Sequence, residues 1–236
     1  MNPGASCSSV YGFRKQTTMV DFPGRIAGVF FTTGCNFRCG FCHNATLLQQ
    51  QRPGYAWDKL RQVCERLRQQ WATGIVLTGG EPTLAPAIEE TLDFIRDLGF
   101  AIKLDTNGSN PEMLERLLPR LDYVAMDIKC GLDHYPSFVH YPHTDRIAAS
   151  IRLLIDQAKD YEFRTTVLEP VHTEAEAHLV GELIRGAKRH YSQPFVPRDD
   201  LPDPELTKLP RTNPDVVRAF ARIVGQYVQT AEARNA

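Results

Sequence analysis

Apolar residues alternate between two patterns along this chain. Short, largely apolar runs at 26–32 (IAGVFFT), 74–77 (GIVL), 101–104 (AIKL) and 123–127 (YVAMD) read as buried strands, 163–168 reads as a fifth, and 192–196 is a candidate sixth. Between them, apolar positions recur at helical spacing. Leu60, Val63, Cys64, Leu67 and Trp71 form one stripe, and Ile147, Ile151, Leu154, Ile155 and Ala158 another. Further helices are expected at 85–98, at 110–118 with Asn110 as cap and Pro111 in the first turn, and from Thr173 to about residue 188, where Thr173 and Glu176 resemble a capping box. A proline-rich stretch at 194–214 precedes a last helix over 214–231, capped by Asn213. Six strand–helix repeats predict a parallel sheet with helices outside it. Six units are too few for an eight-fold barrel, so the expectation is an α/β fold, a partial (β/α)6 TIM barrel open on one side. One domain spans 1–236 with its core at about 20–196. Its chemistry should sit at the C-terminal strand ends.

Composition narrows the functional classes. The 236 residues carry 27 Lys plus Arg against 28 Asp plus Glu, so no basic excess argues for nucleic acid or a membrane surface. No stretch approaches the roughly 18 apolar residues of a membrane helix. Residues 1–10 lack a basic segment followed by an apolar run, which leads to the expectation of a cytoplasmic protein without a signal peptide. Six cysteines in such a chain point to a metal or to catalysis before disulfides.

Three of those cysteines cluster after the first predicted strand, in Gly34-Cys35-Asn36-Phe37-Arg38-Cys39-Gly40-Phe41-Cys42-His43-Asn44. A [4Fe–4S] cluster takes four Cys ligands, so three would leave one iron for a small molecule. Gly34 and Gly40 ease the wrapping of backbone, and Phe37 and Phe41 could shield the group from water. The competing reading is a zinc loop completed by His43 or a distant Cys. Cys64 lies on a helical stripe and reads as a small buried hydrophobe, while Cys7 and Cys130 are isolated.

The remaining chemistry follows strands. Thr78-Gly79-Gly80-Glu81-Pro82 follows the second, its glycines admitting a ligand to the backbone and Glu81 offering charge to an ammonium. Asp105-Thr106-Asn107-Gly108 follows the third and Met126-Asp127-Ile128-Lys129 the fourth, two carboxylates that need a cation or Lys129 between them. The plainer alternatives are a helix cap at Asp105 and a surface ion pair at Asp127. Arg164, on the fifth strand, suits a carboxylate or a peptide carbonyl if it points inward. His172 reads equally as a ligand contact or a surface residue. His134, Tyr135, His140, Tyr141 and His143 match no metal template and predict a mobile aromatic loop over 131–143.

The cysteine spacing, with Asp21-Phe22-Pro23-Gly24, Thr78 to Leu84, Asp105 to Gly108, Asp127-Ile128-Lys129 and Glu162-Phe163-Arg164-Thr165-Thr166, resembles the radical S-adenosylmethionine (SAM) superfamily. Within it the chain is similar to the activating enzymes of glycyl radical enzymes, above all those serving anaerobic ribonucleoside-triphosphate reductase. The resemblance implies an oxidoreductase with a [4Fe–4S] cluster on Cys35, Cys39 and Cys42. It implies SAM held by Phe41, Asn44, Gly79, Gly80, Glu81, Asp105, Asn107, Asp127, Lys129, Arg164 and His172. A monovalent cation (Na or K) would be bound by Asp105, Thr106, Met126 and Asp127, the second and third through carbonyls. No side chain serves as an acid or base, because the radical is carried by SAM. The implied partners are the glycyl radical enzyme and an electron donor such as flavodoxin or ferredoxin. Activation of pyruvate formate-lyase is the nearest alternative, and a non-catalytic zinc-binding interaction protein is the alternative of another class.

Overall fold

The computed structural model describes residues 6–48 and 52–236; residues 1–5, half of the stretch read for a signal peptide, lie outside them. Among the described residues eight strands form one sheet in chain order: β1 (Gly12–Phe13), β2 (Ala27–Thr32), β3 (Gly74–Gly79), β4 (Ala101–Thr106), β5 (Tyr123–Asp127), β6 (Tyr161–Val167), β7 (Arg189–Pro194) and β8 (Thr230–Ala233). The six expected strands are β2 to β7. The longer helices are α1 (Trp57–Gln69), α2 (Ile88–Asp97), α3 (Pro111–Leu117), then, after the short α4 (Tyr135–Phe138), α5 (Thr144–Gln157), α6 (Glu174–Leu183), and, after the short α7 (Pro204–Thr207), α8 (Pro214–Val224).

Contacts group the residues into two compact units. The first comprises Met1–Cys35, Thr46–Thr106 and Glu112–Val124. Here β1 runs antiparallel to β2, and β2, β3 and β4 are parallel in register, with Ala27 opposite Gly74 and Gly74 opposite Ala101. The α1 stripe predicted by periodicity buries Leu60, Val63, Cys64 and Leu67, but not Trp71, which lies beyond the helix end and is exposed. Cys64 is the expected small hydrophobe, its thiol pushed up to about 12 by burial.

The second unit comprises Asn36–Ala45, Asn107–Pro111 and Ala125–Ala236, with β6, β7 and β8 parallel. The helix expected over 214–231 stops at Val224. Beyond it, Gln229 N and Thr230 N donate to the carbonyls of Ala187 and Lys188 (2.9 and 3.1 Å), so the backbone leaves the helix to build β8. Asn213 does cap α8, accepting from Asp215 N at 2.9 Å. The helix expected to reach residue 188 ends at Leu183, and Gly186 (φ +86°) turns the chain into β7. The capping box at its start is half formed: Thr173 Oγ1 accepts from Glu176 N, but the Glu176 carboxylate accepts from Gly131 N and contacts His134 Nδ1 instead.

The loop at 131–143 is a packed segment rather than a mobile one. It forms a 3₁₀ turn (Leu132–His134) and α4, and Tyr135, Val139 and Tyr141 are buried. Tyr135 Oη accepts from Lys129 N at 3.0 Å, and Tyr141 Oη donates to Ser109 O at 3.2 Å.

Candidate active site

In the first unit, the turn after β3 is built around the residue preceding Cys35. Glu81 N donates to Gly34 O (2.8 Å), and Gly80 N donates to Thr32 O (3.0 Å). A Cβ on Gly80 would lie 2.1 Å from Gly34 O, and one on Gly79 (φ +118°) 2.4 Å from Thr32 O. These glycines are therefore demanded by the protein's own backbone, whatever else approaches the turn. The Glu81 carboxylate is also used internally. Buried at 1% exposure, its Oε1 accepts from Thr83 N, Thr83 Oγ1 and Thr106 Oγ1 at 3.1, 2.7 and 2.7 Å, tying the β3 turn to the end of β4. Asp105 is not a helix cap; Lys103 Nζ donates to it at 2.6 Å. Lys103, which sequence reasoning passed over, is itself buried at 2%.

In the second unit, the loop from Asn36 to Ala45 holds Cys39 and Cys42, with Cys42 N donating to Cys39 O at 3.3 Å. Arg38 N donates to Val139 O, and Asp203 N to Gly40 O. Gly40 must be glycine, because a Cβ would come within 2.9 Å of Asp203 Cβ. Phe37 is buried against Tyr135 and Tyr141, and Phe41 stacks on Phe138 with the Lys129 ammonium 5.7 Å from its ring centre. The His43 ring lies 2.9 Å from Val196 O through Nε2.

Asp127 ends β5 between two cations: Lys129 Nζ donates to Oδ2 at 2.9 Å and Arg164 Nε to Oδ1 at 3.0 Å. Burial raises the carboxyl, but the Arg164 and Lys129 charges outweigh it and hold Asp127 well below the usual carboxylate range. Lys129 is lowered by burial and raised further by Asp127 and the Cys39 thiol, with a net shift upward. It stays an ammonium beside Cys39 and Cys42. Burial pushes the Cys42 thiol up, opposed by the Asn44 N–H, which donates to Cys42 Sγ at 3.4 Å, and by Lys129.

Two residues expected to touch SAM also make hydrogen bonds within the protein. Asn107 is occupied by the protein: its Oδ1 accepts from Ser109 N (2.9 Å), and its Nδ2 donates to Asn36 Oδ1 (3.1 Å), which also accepts from Ser109 Oγ (3.1 Å). It steadies the cysteine loop. His172 is neither a surface residue nor placed to receive a ligand at its ring nitrogens. It is 3% exposed; Leu168 N donates to Nδ1 (3.0 Å), and Nε2 lies 2.8 Å from Lys129 O, so the proton belongs on Nε2. Its Lys129 bond and ring packing against Phe138 and Phe220 make it a support for the β5 end. Lys103 was missed because it sits inside a run read only as a strand, and Asn36 because its partners Asn107 and Ser109 are distant in sequence.

The fit of an iron–sulfur group can be judged from the donors. All six cysteines are free thiols, and an N–H and an ammonium face those of the loop, as soft, charge-bearing thiolate ligands require. Among the described residues no three His, Cys, Asp or Glu converge as a single ion would need. The sequence matches the radical SAM superfamily description over residues 29–182. The chain belongs to the radical SAM superfamily.

A Methanocaldococcus jannaschii protein, provisionally named a glycyl-radical enzyme activating enzyme, is 31% identical over 223 residues, 91% of each chain. The 7-carboxy-7-deazaguanine synthase of Methanopyrus kandleri is 28% identical over 193 residues, 72% of this chain and 74% of that one. Among solved structures, Streptococcus suis SuiB bound to S-adenosylmethionine superposes with a TM-score of 0.67 at 12% identity, covering 88% of this chain and 50% of SuiB. SuiB bound to its precursor peptide SuiA gives 0.66 at 13%, covering 84% and 45%. This chain thus spans about half the length of SuiB. These likenesses show the fold, the open partial barrel of radical SAM enzymes, and membership of the superfamily implies a [4Fe–4S] cluster and SAM. No helix among the described residues is long and apolar enough to cross a membrane.

Proposed function

We propose that this protein is a glycyl radical enzyme activating enzyme whose partner is anaerobic ribonucleoside-triphosphate reductase, working as a single radical SAM domain in the cytoplasm. When bound, the cluster and SAM supply the one-electron chemistry that yields a hydrogen-abstracting 5′-deoxyadenosyl radical. The chain's residues bind and orient. Cys35, Cys39 and Cys42 are the cluster ligands. Lys129 offsets thiolate charge and, with Arg164, presents cationic donors to the SAM carboxylate. Phe41 and Phe138 exclude water beside it. An ammonium can only donate, so the β3 turn serves that of SAM through carbonyl oxygens, with Glu81 acting from behind. A sodium or potassium ion at Asp105, Thr106, Met126 and Asp127 would have to compete with cationic side chains already on both carboxylates.

The observation that carries the reading is the Lys129–Asp127–Arg164 cluster, which holds charge beside two loop thiols at a strand end. The protein substrate is supported by the similarity to the M. jannaschii activating enzyme along nearly the whole of both chains, and by the peptide held in SuiB. A second reading, 7-carboxy-7-deazaguanine synthase activity, is favoured by the M. kandleri similarity. The test is electron paramagnetic resonance after anaerobic incubation of reduced protein and SAM with candidate reductases. A glycyl doublet on ribonucleotide reductase is expected. A doublet only on pyruvate formate-lyase, or SAM cleavage that responds only to a deazaguanine precursor, overturns the partner.

A further inference from the structure

Five large hydrophobic residues are exposed among the described residues, and three of them, Met19 (78%), Val20 (83%) and Trp71 (80%), belong to one end of the first unit. Their neighbourhood is fixed by hydrogen bonds. Thr18 pairs with Ala27 at the start of β2, Thr17 N donates to Gln70 Oε1, and Gln70 Nε2 donates to Lys15 O. Thr73 N, two residues after Trp71, donates to Ile26 O.

Trp71 is held in a conformation that its residue type does not favour. It follows α1 in the left-handed region (φ 64°), while Ala72 N donates back to Leu67 O at 3.1 Å. That helix-ending geometry normally takes glycine, and a bulky side chain there is strained. An indole kept at a glycine position and left in water gives the fold nothing, so its use lies outside the fold.

Charge selects the occupant. Arg14 is paired with Asp21, but Lys15, Arg25 and Arg66 make no ion pair with a described residue, and Arg25 lies over the Phe22 ring. Apolar side chains rimmed by unneutralised cations fit an acidic protein face. A two-fold dimer through this face would set Lys15 and Arg25 near their own copies, like charge against like. An electron donor must approach the cluster, yet this face lies at the N-terminal end of β2 and β3, a six-residue strand (about 20 Å) from the end that leads to Cys35. A large protein substrate can reach both ends.

We propose that Met19, Val20 and Trp71, with Lys15 and Arg25, form a docking surface for an acidic face of the glycyl radical enzyme, remote from the site that receives its glycine loop. This rests on the proposed activity. The test compares wild type with Trp71→Gly, which suits the backbone and so folds, and with Lys15→Glu/Arg25→Glu. Uncoupled SAM cleavage and glycyl radical formation on purified anaerobic ribonucleoside-triphosphate reductase are both measured. Uncoupled cleavage should be unchanged in both variants. The reductase concentration giving half-maximal activation should rise at least tenfold in each, with the maximal rate retained, and the charge variant should lose most of the wild type's salt dependence. Equal half-maximal concentrations in wild type and variants overturn the docking surface alone. A change of oligomeric state in Trp71→Gly assigns the face to a second copy and also overturns it. Absence of any doublet with wild type overturns the activity and the docking surface together.

Discussion

Asp127 shows how the site's electrostatics and the fold's stability are coupled at a single residue. Two cations hold it ionised, and replacing it by Asn leaves Lys129 and Arg164 half-buried as facing like charges. Asp127→Asn should therefore destabilise by about 3 kcal/mol in denaturant titration near pH 7. The sign of the pH dependence follows from the depressed carboxyl. Its stabilisation is fully present above the unfolded value of about 3.9 and is lost as pH falls from there toward the folded value. Wild type should weaken steeply below about pH 4, and the variant less so. Asn36 supplies a second case. Asn36→Ala removes one hydrogen-bond partner each from the Asn107 amide and the Ser109 hydroxyl, both buried, at a cost of about 1–3 kcal/mol. Iron content per chain should be retained while uncoupled SAM cleavage falls; unaltered cleavage would show that the clamp does not position the loop. These residues mark the limit of reading a site from sequence. The cysteines were legible because their spacing is local. The internal bonds of Asn107 to Asn36 and of His172 to the Lys129 carbonyl were not legible, because both partners lie far away in sequence.

The layer where β6 and β7 pack against α8 carries a different pH dependence. Thr165 Oγ1 donates to Ile128 O, so the hydroxyl has no proton left for His190, and His190 Nε2 must donate to it. That leaves Nδ1 an acceptor buried without a partner, as is the neighbouring Ser192 Oγ. Burial pushes the imidazole down to about 3, and His172, across Phe220, is lowered by burial too. His190 stays neutral in the fold down to about pH 3, and His172 is held from protonating as readily as a free imidazole, while both take up protons in the unfolded chain below about 6.5. Stability should thus fall between pH 6.5 and 3, by roughly 1 kcal/mol per unit from His190 alone. His190→Leu should leave stability at pH 7.5 within about 1.5 kcal/mol and flatten the slope between pH 6.5 and 5. Urea midpoints at both pH values check this, and an unchanged slope would mean that His190 does not titrate there. The same layer explains which elements were hard to read. β2 to β5 are apolar runs and stood out. β7 (RHYSQP) starts three residues before the expected 192 because polar His190 and Ser192 fill buried positions, which conceals the strand. β8 (TAEA) is short and half-exposed, with a helix-like composition, and only its pairing to β7 makes it a strand.

At the scale of the whole molecule, the question is whether the metal group builds the fold or is received by it. In the zinc-module alternative, metal binding free energy is folding free energy, and such proteins unfold without metal. Here each unit has its own buried residues, Leu60 and Ile75 in one, Phe163 and Val224 in the other, on strands and helices remote in sequence from the cysteine loop. The part of the loop in the second unit has supports of its own: Phe37 between two tyrosines, Arg38 bonded to Val139, Gly40 to Asp203, and Asn36 to Asn107 and Ser109. A chain of this length buries roughly 70% or more of its unfolded surface without staples. The cluster should accordingly be received by a fold already formed. Chelation of iron under anaerobic conditions, or Cys39→Ala, should abolish SAM cleavage while leaving the far-ultraviolet circular dichroism unchanged. The melting temperature should drop by no more than about 8 °C, the shift that a loss of ~2 kcal/mol gives in a protein of this size. Any new protease cleavage should fall within 35–45. Global unfolding on iron removal would contradict this account and return the cysteines to a structural role.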